Sequence, residues 1–128
     1  MSSRGATPGV IESSAVGPRI VKTTISGHAT LKLSESGLAE FVQIVSKMQA
    51  PIWVSDARGL TGYDSDSLGF GRNWFSEFKG RQGRHLVIVS EWSIALMAAH
   101  AMALGFGIRL DSAATLEGAI EKAHQLLG

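Results

Sequence analysis

The 128-residue chain carries 12 Lys and Arg against 11 Asp and Glu, a formal charge of +1, so no global field draws it to nucleic acid or to an anionic membrane, and either role would need a local patch. Hydrophobic residues make up 45% and charged residues 18%, which supports one packed domain and excludes a disordered chain. The absence of cysteine excludes disulfides, thiolate zinc sites, thiolate-held iron–sulfur clusters and cysteine nucleophiles.

Residues 1–17 are rich in Ser, Gly and Ala and read as a flexible tail. Within them, residues 9–14 are a candidate edge strand, with Gly17-Pro18 as the turn back. No apolar signal region stands in the first 18 residues, and with the lack of cysteine this sets the expectation of a cytoplasmic protein. Residues 18–128 read as a single domain. The β-branched run RIVKTTIS (19–26) predicts a strand ending at Gly27. Leu38, Phe41, Val42, Val45 and Met48 recur at helical spacing and predict a helix over 37–49, with Ser34 or Ser36 as its cap and Pro51 barring its continuation.

Ile52-Trp53-Val54 predicts a buried strand ending at Ser55-Asp56, followed by a loop over 57–63 holding Gly59 and Gly62. Asp64, Ser65, Asp66 and Ser67 precede Leu68, and such a cluster of short oxygen-bearing side chains suits the free N–H groups of a helix start. Leu68, Gly71, Phe75 and Phe78 mark one face of that helix, which Gly80 and Gly83 stop. The run LVIV (86–89) predicts a central strand covered on both faces. Residues 92–104 form a helix apolar on nearly every side, 106–110 a strand, and 116–127 a last helix with Leu116, Ala119, Ile120, Ala123 and Leu127 facing inward. The most apolar stretch, 94–108, is shorter than the ~20 residues of a membrane span. Strands alternating with helices imply a mostly parallel sheet with about four covering helices.

No phosphate-binding loop, nucleophile elbow or zinc-binding His pair is present, and Gly69-Phe70-Gly71 lacks the third glycine and the preceding strand of a dinucleotide site. His28, His85, His100 and His124 show no metal-ligand spacing, and His100 reads as a core or interface histidine. Asp64 and Asp66 read as helix caps. Asp56, at the expected carboxyl end of a strand, is a site candidate because open α/β sheets place ligands there. Arg72, Lys79, Arg81 and Arg84 read as a solvated basic helix end. These observations predict no catalytic residue, metal or cofactor and no nucleic-acid partner.

The segment IWVSDARGLTGYDSDSLGFG resembles the central motif of STAS domains of the SpoIIAA-like type: a strand ending in Asp, a loop, then an Asp-Ser-rich helix start followed by Leu-Gly. Ile25-Ser26-Gly27, LVIVS and the helix with Leu116, Glu117 and Ala119 fall where that family keeps its flanking elements, so the likeness covers roughly residues 18–128. The resemblance implies a SpoIIAA-like α/β fold and a non-enzymatic module that docks a protein, an anti-sigma factor or kinase-like regulator, through the second helix start. The docking and switch surface would comprise Asp56, Tyr63, Asp64, Ser65, Asp66 and Ser67. In anti-sigma-factor antagonists a serine there is phosphorylated, adding about −1.5 to −2 charges. Aligning Leu68-Gly69 with the family's Leu-Gly puts Asp66 at the phosphoserine position and Ser67 at the usual glycine; a one-residue shift makes Ser65 or Ser67 the acceptor. The alternative function is a carrier or sensor of a small apolar, lipid-like ligand, held between the sheet and the helices. The all-round apolar helix, with Trp92, Met97 and Met102, is the expected self-association element of a homodimer.

Overall fold

A computed structural model describes residues 9–90 and 93–128. Its elements are β1 (Val10–Ala15), β2 (Ile20–Ala29), α1 (Leu31–Val45), β3 (Ile52–Tyr63), α2 (Ser65–Gly80), β4 (His85–Val89), α3 (Ser93–Gly105), β5 (Arg109–Ala113) and α4 (Leu116–Leu127). The expected alternation of strands and helices is present. The sheet has five strands in the order β1-β2-β3-β4-β5. β2 to β5 are parallel, and β1 joins β2 as an antiparallel edge.

This order dictates where the helices lie. Each new parallel strand is added on the same side of the last, so right-handed crossovers put α1, α2 and α3 on one face. α4 follows the last strand, needs no crossover, and covers β3, β4 and β5 from the other face. Two cores result. Val21, Trp53 and Leu86 pack with Phe41, Trp74, Phe75 and Phe78 on the first face. Ile20, Ile52, Val54, Val87 and Val89 pack with Ala119 and Ala123 on the second. Central strands buried on both sides explain the unbroken runs IWV and LVIV. Lys22, Thr24 and Ser26 of β2 are only half-buried, and the polar side of that strand accounts for its alternation.

Four local expectations are corrected. α1 begins at Leu31, six residues earlier than the apolar spacing suggested, because Thr30 is its cap: Thr30 Oγ1 accepts from Leu33 N at 3.2 Å. Ser34, the expected cap, is buried and accepts from Trp74 Nε1 at 3.1 Å. Thr30→Ala should therefore lower stability by about 1 kcal/mol in a urea titration, and Ser36→Ala should leave it unchanged. Second, residues 57–63 are no loop but the continuation of β3. Gly59 faces Ser26 so closely that a Cβ would stand 2.8 Å from Ser26 Cβ, and one at Gly62 would stand 3.0 Å from His28 Nδ1. Both glycines permit close strand approach at two register shifts, where β3 carries one more residue than β2, rather than breaking the strand.

Third, α2 does end near Lys79, but the left-handed residue after it is Gln82 (φ 64), not a glycine. Gly83 serves packing, since a Cβ there would come within 2.4 Å of the Phe78 ring. Fourth, β5 starts at Arg109 rather than 106. Residues 106–108 close α3, with Ile108 N donating to Ala103 O at 2.8 Å across Gly107 (φ 69). His100, expected in a core or interface, is exposed on α3.

Candidate functional site

The long β3 decides which candidate residues meet. Its last residue is Tyr63, and Asp64 stands at the N-cap position of α2, with Asp66 in the first turn. Asp64 N donates to Ala29 O at 3.0 Å, so β2 and β3 end together beneath the start of α2. Asp64 has the extended backbone of an N-cap, yet its side chain caps nothing. Asp64 Oδ1 instead lies 2.7 Å from His28 Nε2. Among the described residues Asp66 bonds no backbone N–H either. The expected side-chain capping is thus corrected: His28, at the facing end of β2, competes successfully for the Asp64 carboxylate. Sequence reasoning missed His28 because its partner lies 36 positions away.

Asp64, Ser65 and Asp66 are exposed and contiguous, while Ser67 is only 7% exposed and Tyr63 is half-buried. Ser65 is therefore the accessible serine of this turn. Asp56 stands apart. It lies mid-strand, seven residues before Tyr63, roughly 20 Å away along the strand. It is 7% exposed. Arg58 Nε donates to its Oδ1 at 2.9 Å, an Arg58 terminal nitrogen to its Oδ2 at 2.8 Å, and Arg58 N to Oδ1 at 3.2 Å.

The Arg58 guanidinium holds the Asp56 carboxyl below its ordinary pKa, against burial, which pushes it up. A carboxylate with a depressed folded-state pKa contributes stability above its unfolded value and loses it as pH falls through the folded one. The unfolding free energy should accordingly decline as pH drops below ~4. Asp56→Asn should flatten that decline and be less stable at neutral pH, as read from urea titrations at stepped pH.

Beneath the start of α2 lies a cavity of about 170 Å³, bounded by the sheet, α2 and α3. Tyr63, Ser67, Trp74 and Phe75 wall it on one side, and Ala98 and Met102 of α3 on another. Four of its polar wall residues, Thr23, Ser34, Trp53 and Trp74, are already hydrogen-bonded. Trp53 Nε1 donates to Thr23 Oγ1 at 3.0 Å, Ser13 Oγ lies 2.9 Å from that same oxygen, and Trp74 Nε1 is taken by Ser34. What remains for an occupant is mostly carbon. α3 divides as follows: Met102 is half-buried against the first core, Met97 is 70% exposed, and Trp92 lies outside the described residues. Among the described residues no three His, Asp or Glu side chains gather to hold a metal ion, and no helix is long and apolar enough to cross a membrane.

A sheet ordered β1-β2-β3-β4-β5, three helices on one face, one on the other, and an exposed acidic helix start define an α/β domain of the SpoIIAA-like fold. Solved structures share it. A DUF3478-family protein with a SpoIIAA-like fold from Shewanella loihica PV-4 aligns with a TM-score of 0.73 at 10% identity, over 93% of this chain and 98% of that one. SpoIIAA itself, an anti-sigma factor antagonist in its unphosphorylated form, aligns at 0.68 and 17% identity, over 90% and 98%. An anti-sigma factor antagonist from Mycobacterium paratuberculosis aligns at 0.63 and 14% identity, over 91% and 95%. No protein-family model and no curated protein matches the sequence.

Proposed function

We propose that this chain is a cytoplasmic, non-catalytic regulatory module that docks a protein partner through the first turn of α2 and the adjoining end of β3. The observation that carries the reading is the contiguous exposure of Asp64, Ser65 and Asp66. Two of the structures that share the fold are anti-sigma factor antagonists, which supports the partner class. The surface is already negative through Asp66, so a basic patch on an anti-sigma factor or kinase-like regulator is the complementary partner. Phosphate on Ser65 would add further charge beside it. Asp64→Lys/Asp66→Lys should abolish recovery of that partner from the native cell extract while leaving the circular dichroism spectrum unchanged. Equal recovery by wild type and variant would defeat the reading.

A second reading rests on the cavity. A dry, apolar cavity of ~150 Å³ takes a ligand the size of benzene, and 170 Å³ is close to that. The occupant would be a single small apolar ring rather than a lipid chain, and Tyr63 and Ser67 would couple its presence to the docking turn. Native mass spectrometry of the purified protein should then show a small retained mass that Ala99→Trp displaces. Self-association belongs to the outer face of α3; sedimentation should show a dimer that Met97→Glu splits without unfolding either chain.

A further inference from the structure

The parallel sheet gathers at one pole the starts of β2 to β5 and the ends of the four helices. The segments there are 17–19, 46–51, 79–85, 105–109 and 124–128. They carry Arg19, Lys47, Lys79, Arg81, Arg84 and Arg109, and not one Asp or Glu. A chain of net charge +1 thus places half of its 12 Lys and Arg at one end. All six are exposed. The segments are tied together: Ala50 N donates to Arg81 O at 3.1 Å, Ile52 N to Arg19 O at 2.8 Å, and Arg109 N to Arg84 O at 2.7 Å. Ile20, Ile52, His85 and Arg109 form one cross-strand row, about 15 Å across at ~4.8 Å per strand.

Cations at helix ends are ordinarily explained by the partial negative charge there. Lys79, in the last turn of α2, fits that account; Arg19 does not, since its Nε and a terminal nitrogen donate to the loop carbonyls Gln49 O and Ala50 O, beyond the end of α1, at 3.1 and 3.0 Å. The five cations other than Arg19 make no ion pair or side-chain hydrogen bond among the described residues. A groove of about 360 Å³ opens at this pole, lined by Arg19, Arg84 and His85 together with Ile52, Leu126 and Leu127. His85 Nδ1 is buried without a hydrogen-bond partner among the described residues. Ala50 (φ 46) and Gln82 (φ 64), the non-glycine residues in left-handed backbone among those described, both line this groove. Strain of that kind concentrates where a loop is used. Leu104, in the last turn of α3 at the same pole, is 77% exposed.

We propose that this pole docks onto an anionic lipid bilayer, with a headgroup phosphate entering the groove at Arg19, Arg84 and His85 and Leu104 entering the interface. A basic cluster beside an exposed apolar residue combines two signals of membrane-surface binding. The features do not suit nucleic acid as well: Phe106, the one Phe, Tyr or Trp of these segments, is partly buried and stacked on Phe75 at 6.2 Å, so no row of free aromatic faces is offered to bases. α2, at 16 residues, holds this pole about 24 Å from the docking turn, so a membrane and a protein partner can be engaged together.

The test is co-sedimentation of the full chain with vesicles of phosphatidylcholine alone and of phosphatidylcholine mixed with phosphatidylserine, alongside anisotropy of a labelled DNA duplex. Binding is expected to the mixed vesicles only, and it should fall steeply as salt rises from ~0.1 to ~0.5 M. Arg81→Glu/Arg84→Glu should weaken it at least about tenfold, as should the milder Lys47→Ala/Lys79→Ala by a smaller factor, with circular dichroism unchanged. Leu104→Ser should weaken it several-fold. Equal binding to both vesicles, binding to neither, indifference to both charge variants, or retention of DNA at a salt concentration that releases the vesicles would each overturn the proposal. The Asp64→Lys/Asp66→Lys variant should bind vesicles as wild type does, which separates this face from the docking turn.

Discussion

Trp53→Ala is expected to remove about 3–5 kcal/mol of stability, a large share of the ~5–15 kcal/mol that holds a typical domain. Trp53 is the hub of the first core. Its ring centre lies 4.8 Å from that of Phe41, 5.2 Å from Phe75, 5.3 Å from Phe78 and 6.1 Å from Trp74. It is also the donor that joins β3 to Thr23 of β2, which in turn meets Ser13 of the edge strand. Truncation therefore opens a large apolar void and strips the Thr23 hydroxyl of a buried partner at the same time. Trp53→Phe keeps most of the ring and loses the hydrogen bond, so it should cost distinctly less. Urea midpoints of the two variants, at unchanged slope, measure the difference. A Trp53→Ala loss below 1 kcal/mol would mean that the aromatic cluster does not hold the sheet to α2.

Ser67→Asp is expected to destabilise by about 3 kcal/mol, the order of cost of an uncompensated buried charge, whereas Ser65→Asp should be neutral or stabilising by up to ~1 kcal/mol. The two serines stand two positions apart in the same turn, yet Ser67 is buried on the wall of an apolar cavity and Ser65 faces solvent. A helix start favours negative charge only where water can still reach it. Thermal unfolding of both variants decides the matter, and it bears on the proposed function: phosphate on Ser65 would leave the turn folded, whereas on Ser67 it would disrupt the wall of the cavity. If the two variants melt alike, the cavity does not close over Ser67.

Local periodicity carried much of the architecture. LVIV and IWV reflect strands buried on two faces, Leu38 to Val45 one helical stripe, and the Asp-Ser cluster the beginning of α2. These patterns are properties of neighbouring residues, so the α/β order, the parallel sheet and the acidic start of α2 could be read from the chain. The gaps arose where a residue's role depends on what stands opposite it. Gly59 and Gly62 look like loop breakers until Ser26 and His28 are seen pressed against them. Ser34 looks like a cap until the Trp74 indole reaches it, and Gln82 has no feature that marks it for a left-handed turn. Asp64 has the composition of a cap, but His28 takes its carboxylate.

Length and residue type thus determined one α/β domain, its element order and its acidic helix start. Tertiary structure alone decided that Asp56 lies buried against Arg58, that Ser65 and Ser67 differ in access, and that Met97 and Met102 of one helix face opposite surroundings. It also gathered six cations from four separate segments at one pole of a chain whose charges nearly cancel. The physical reason is common to all of these. Hydrophobic periodicity encodes whether a position is covered. Which group covers it, or stands beside it, is set by strand register and crossover hand, which join residues dozens of positions apart.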